Sequence, residues 1–124
     1  MTQPLALVFY ERLLPGTQLV NLLQDLGYRV QTVADAAGLA SAAVEHRPML
    51  LLADLQATSV DVVAAIKRVR STLDTAHLPV LAFTDNESLE AHTAARQAGA
   101  TLVVPDQALL NHLPQLLEQA LRIE

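Results

Sequence analysis

His46-Arg-Pro-Met-Leu-Leu-Leu-Ala-Asp-Leu-Gln56 is the stretch that decides the fold. Its apolar run, residues 49–53, is too short for a buried helix and lacks the alternation of a half-exposed strand. A short continuous apolar run fits a strand covered on both faces, the usual situation in a parallel sheet. The run ends in Asp54, a carboxylate at a strand's carboxyl end.

Working outward, comparable runs occur at Leu5–Phe9, Val80–Phe83 and Leu102–Val104. Residues 28–33 nearly alternate apolar and polar, which predicts a strand at the sheet edge. Helical spacing fills the gaps. Leu19, Leu22, Leu23 and Leu26 fall on one face, and Gly27 follows as a stop. Ala36, Leu39, Ala40 and Ala43 repeat that pattern, and Val62, Ile66 and Val69 make a third stripe. Residues 87–98 form a weaker helix with Asn86 as its N-cap. The last helix is expected to start at Asn111, with Pro114 in the first turn, and to run to about Arg122. Strict β–α alternation predicts an α/β fold, a three-layer sandwich. The expected form is a flavodoxin-like (βα)5 arrangement with a parallel five-stranded sheet of order 2-1-3-4-5. Function in such a sheet is sought at the carboxyl ends of the strands.

Composition narrows the function classes. The 124 residues suit one domain, spanning 1–124, and 52% hydrophobic content supplies a core without a metal or disulfide staple. With no cysteine, thiolate metal sites, disulfides and a cysteine nucleophile are excluded. A net charge of -5 argues against direct binding of nucleic acid or an anionic membrane. No signal peptide and no apolar run near the ~20 residues of a membrane span is read in the sequence, so a cytoplasmic location is expected. His46, His77, His92 and His112 lie in different segments without ligand spacing. Pro15-Gly16-Thr17, read as a turn after the first strand, lacks the hydroxyl run of a phosphate loop, and no glycine-rich nucleotide motif occurs.

The chain as a whole resembles the receiver domain of two-component response regulators, the CheY-like family. The resemblance rests on HRPMLLLADLQ before and around Asp54, on TAHLPVLAFT ending at Thr84, and on ARQAGATLVVP leading into the last strand. It implies that Asp54 is the phosphoacceptor position and Thr84 the switch hydroxyl. It also implies a Mg²⁺ held by Asp54 and an acidic pair after the first strand. Counted without gaps, that pair falls on Tyr10 and Glu11; shifted by one, it falls on Phe9 and Tyr10. Either way Tyr10 replaces a carboxylate. The family's lysine position falls on Asp106, its switch aromatic on Val103, and the proline after the lysine on Gln107. Phosphoryl transfer is mostly positioning and charge neutralisation, and these departures remove most of the positive charge.

The expectation is therefore a pseudo-receiver: no enzyme activity, no cofactor, and signalling by protein–protein contact. Asp54, Thr84 and Glu11 with Mg²⁺ would act only in the phosphoacceptor alternative. In a further alternative, Tyr10 and Asp106 line a small-molecule pocket. The resemblance places a partner or homodimer surface on the fourth helix, fifth strand and last helix. In the last helix Leu113, Leu116, Ala120 and Ile123 form one seam. Leu110, Leu117 and Leu121 form a second, which with Val103 and Leu113 makes the expected interface set.

Overall fold

The structure is a computed structural model that describes residues 4–10, 13–33, 38–55, 62–84 and 89–122. Five strands form one sheet: β1 (Leu5–Phe9), β2 (Arg29–Val33), β3 (Leu50–Asp54), β4 (Val80–Phe83) and β5 (Leu102–Val104). All pairings are parallel and the order is β2-β1-β3-β4-β5. The helices are α1 (Leu13–Asp25), α2 (Leu39–His46), α3 (Val62–Ser71), α4 (Leu89–Ala98), α5 (Asp106–Asn111) and α6 (Leu113–Arg122). A 3-10 turn at Leu73–Thr75 links α3 to β4.

The continuous apolar runs are explained by two cores rather than one. Leu7, Phe9, Leu51, Ala53, Val80 and Ala82 point into the layer that α2, α3 and α4 cover through Leu39, Ile66, Val69 and Ala95. Their neighbours Ala6, Val8, Leu50, Leu52, Leu81 and Phe83 point the other way, onto Leu19 and Leu23 of α1, Leu109 of α5, and Leu113 and Leu117 of α6. Side chains alternate across a strand, so a strand with a core on each side must be apolar throughout. Each fully buried leucine contributes about 1.5–3 kcal/mol. β2 has a single neighbour, β1, and exposes Arg29, Gln31 and Thr32, as its alternating sequence requires.

Three local expectations change. β3 starts at Leu50 and includes Asp54, which pairs with Phe83, while Met49 stays half-exposed at the entrance. Residues 15–17 are not a turn but part of α1, where Pro15 sits in the first turn and needs no hydrogen-bond donor. The C-terminal segment is two helices. Asn111 ends α5 instead of capping the last helix, and His112 adopts φ -128°, ψ 29° between them. The cause is Pro114: it cannot donate to Leu110, and its ring crowds that carbonyl, so the chain must break one turn earlier. Pro114 itself lies in the first turn of α6, as expected. Gly27 ends α1 at φ 92°, where its freedom is needed. Ala36, Asn86 and Ile123 lie outside the described residues.

Candidate functional site

Parallel strands deliver their carboxyl ends to one edge, and backbone hydrogen bonds bring three of those ends together. Leu55 N–H donates to Phe83 O at 2.9 Å, joining the exits of β3 and β4. Thr84 N–H donates to Val104 O at 3.0 Å, joining β4 to β5. Asp54, Thr84 and Asp106 are thus placed on the same edge by neighbouring strands. They are also three of the four buried polar or charged residues among those described, with exposures of 0, 2 and 5%. None of the three is unpartnered, and no buried side-chain nitrogen or oxygen among the described residues lacks a hydrogen bond. That matters because a buried polar group without a partner costs about 1–3 kcal/mol.

Asp106 opens α5, with Pro105 in extended backbone as the preceding cap residue. A carboxylate in a helix's first turn is favoured by the helix dipole, so this position suits an acid locally. It is nevertheless a negative charge on the edge where the resemblance implies a lysine.

Tyr10 follows β1 and is half-buried. Its register matches Ala6 and Val8, so it packs with the α1 and α6 core. The ring lies against α1 at Gly16: a Cβ there would overlap ring atoms Cγ, Cδ2 and Cε2, the last at 2.6 Å. Spacing alone offers no sign of this contact, because a Pro-Gly pair reads as a turn and only the fold puts Gly16 inside α1. Glu11 lies outside the described residues.

A Mg²⁺ centre needs several hard oxygens in near-octahedral array. The described residues offer the carboxylates of Asp54 and Asp106 together with a phenol whose ring is committed to α1. Among the described residues no group of three His, Asp or Glu side chains could hold a metal ion.

The expected interface residues separate by burial. Val103, Leu113 and Leu117 are core residues, so they do not form a free surface. Leu110 and Leu121 are half-buried, flanking the second core together with Leu116. The two seams of the C-terminal segment are therefore drawn differently from the sequence reading. Leu109, Leu113, Leu117 and Ala120 face the sheet, and Leu110, Leu116 and Leu121 border them.

No protein-family model matches the sequence, and no curated protein matches it. Solved structures do. A protein described as a response regulator from Chloroflexus aurantiacus J-10-fl aligns at 22% identity and TM-score 0.89, over 98% of this chain and 100% of its own. The receiver domain of a sensor histidine kinase from Pseudomonas aeruginosa PAO1, with a magnesium ion coordinated in its active-site cleft, aligns at 22% identity and TM-score 0.86. That alignment covers 97% of this chain and 98% of the other. The chemotaxis response regulator CheY4 of Vibrio cholerae aligns at 24% identity and TM-score 0.78, over 93% and 99% of the two chains. With the sheet order 2-1-3-4-5, these likenesses establish that the chain has the flavodoxin-like fold of response-regulator receiver domains.

Proposed function

We propose that this chain is a pseudo-receiver of a two-component-type signalling protein, acting through protein–protein contact without phosphotransfer. The observation that carries the reading is Asp106, a buried carboxylate on the same edge as the fully buried Asp54. A phosphorylated Asp54 would bring a dianion to an edge that already holds a second carboxylate. In a low-dielectric site that repulsion is large, and no described lysine or arginine stands on this edge to offset it. Tyr10 adds to the argument, since a phenol turned onto α1 replaces a carboxylate metal ligand.

In this reading Asp54 and Thr84 are structural. They order the exits of β3 and β4 and hold the edge in one arrangement. The domain would work in the cytoplasm, without cofactor, nucleic acid or membrane. It would meet a partner or a second copy through α4, β5 and α6, with Leu110 and Leu121 as the accessible leucines of the expected set. The net charge of -5 supports a protein partner over nucleic acid.

The test is intact mass spectrometry after incubation with acetyl phosphate and Mg²⁺, on wild type and Asp54→Asn, beside a competent receiver. No phosphoryl adduct on this chain is expected when the control is labelled. An adduct on wild type that disappears in Asp54→Asn would make Asp54 a working phosphoacceptor and overturn the proposal.

A further inference from the structure

The outer side of the second core carries a groove between α1 and α5. Leu19 and Leu23 of α1 and Leu109 of α5 are buried in that core, which sets the two helices side by side. Above them a groove of about 420 Å³ is lined by Gln18, Asn21 and Leu22 from α1 and by Gln107, Leu110 and Asn111 from α5. Each helix thus gives one Gln, one Asn and one Leu, at positions i, i+3 and i+4 of a single helical face. Leu22 and Leu110 are half-buried, and the four carboxamides around them are exposed. An apolar centre ringed by polar groups is the anatomy of a protein–protein contact in miniature.

No residue lining this groove is ionisable. Other depressions of the surface differ: one carries Arg47, Asp74 and His77, another Glu45 and Arg68. The neutrality extends past the groove. Among the exposed residues described on α1 and α5, Asp25 at the end of α1 is the one charge; the others are Thr17, Gln24 and the four carboxamides. The next ionisable groups along the C-terminal segment, His112 and Glu118, lie outside the groove. A carboxamide offers two N–H donors and an acceptor oxygen, so it pairs with another carboxamide, whereas an ionised side chain repels its own kind. A chain carrying -5 is repelled by its own copy wherever charged faces meet, and this face adds least to that repulsion.

We propose that the α1–α5 groove is the contact between two copies of this chain related by a two-fold axis, with Leu22 and Leu110 of each copy at the centre and the carboxamides paired around them. In an isologous contact, every group that one copy offers must be met by a group the same chain also offers. The groove meets this condition because both of its walls carry the same set of side chains and each carboxamide is its own complement. An acidic or basic partner finds no counter-charge here. The contact is small, so the dimer is weak, with a dissociation constant on the order of 100 μM. The inference narrows the proposed protein–protein contact to a second copy, and it holds whether or not Asp54 accepts phosphate.

The test is sedimentation equilibrium of the full chain from about 10 to about 1000 μM, at low and high salt. Reversible dimerisation is expected, and it should strengthen with salt, because screening removes repulsion between two acidic chains and no ion pair is lost. Two double variants, Gln18→Glu with Gln107→Glu and Gln18→Lys with Gln107→Lys, alter exposed side chains only. Each is expected to weaken self-association at least about tenfold, since like charges then face each other across the two-fold axis. Mixed in equal amounts, the acidic and basic variants are expected to dimerise with each other, which also shows that both are folded. Monomer at every concentration, weakening by salt, or a mixture that stays monomeric would overturn the proposal. So would undiminished self-association of the two variants, which would place the contact on another face such as α4, β5 and α6. None of these results touches the pseudo-receiver reading, whose failure shows as labelling of Asp54.

Discussion

Replacing Gly16 by alanine tests the contact that fixes Tyr10 at the candidate site. Two effects oppose each other. In a helix interior, alanine is better than glycine by about 0.5–1 kcal/mol, and Gly16 lies inside α1. Against this, the new Cβ would fall 2.6 Å from Tyr10 Cε2 and closer still to Cγ and Cδ2, so the ring must leave. A tyrosine buries about 150–250 Å² when covered, and Tyr10 is half-buried, so roughly 100 Å² is at stake. At ~25 cal/mol per Å² the loss is about 2.5 kcal/mol. Gly16→Ala should therefore destabilise by about 1.5–2 kcal/mol net, the difference of these two terms. In a Tyr10→Ala background the ring is gone and only the helix term remains, so the same substitution should stabilise by about 0.5–1 kcal/mol. The sign reverses. The assay is urea unfolding followed by far-ultraviolet circular dichroism, since the chain has no tryptophan. With a slope of ~1.5 kcal/mol/M, the wild-type-background change is a midpoint shift of about 1 M. Equal effects of Gly16→Ala in the two backgrounds would refute the packing of Tyr10 on α1.

Other outcomes follow from the same structure. Gly99 has φ 122°, and a Cβ there would meet the Arg70 side chain at 2.8–3.0 Å, whereas Gly27 has φ 92° with nothing within 4 Å. Arg70 donates to Ala76 O and, at 2.7 Å, to Gly99 O. Gly27→Ala should cost about 1 kcal/mol and Gly99→Ala about 2–4 kcal/mol, and urea unfolding of the Arg70→Ala background should show the excess shrink. Leu113→Ala and Leu117→Ala should each cost about 2–5 kcal/mol as core truncations, while Leu121→Ala costs less, which thermal unfolding would rank. An equal ranking would return Leu113 and Leu117 to the surface. Burial raises the Tyr28 phenol above its usual 10.0. A phenol with a raised folded-state pKa contributes stability that is present below the unfolded value and lost as pH rises through the folded one. Absorbance titration of Tyr10→Phe should show Tyr28 ionising above pH 10, with unfolding eased over the same range.

The carboxyl edge and the C-terminal helices show where sequence reading reached and where it stopped. Asp54 was legible as a strand-end carboxylate because a continuous apolar run points to a doubly covered strand. Its belonging to β3 was not legible, since a polar strand end and the first loop residue look alike until pairing with Phe83 is known. The same holds for Pro114: its tolerance in a first turn is local chemistry, but the break at His112 depends on where α5 packs. Leu113 and Leu117 were read as surface because helical spacing defines stripes and not which stripe the sheet claims. Leu109, outside both predicted seams, is fully buried in the same core as Leu113 and Leu117.

By itself the sequence determined the alternation of strands and helices, the edge position of β2, the absence of cysteine chemistry, and the acid at position 106. These follow from periodicity, turn residues and side-chain identity, all of which are local. Only the tertiary structure decided that Asp54, Thr84 and Asp106 are buried at the carboxyl edge, and that Tyr10 lies on Gly16. It also decided that Leu26, Val44, Met49 and Leu73 stay exposed while the strand leucines are buried. Burial and mutual approach are set by packing rather than by spacing, whether the residues are distant in the chain, as Asp54 and Asp106 are, or near, as Tyr10 and Gly16 are.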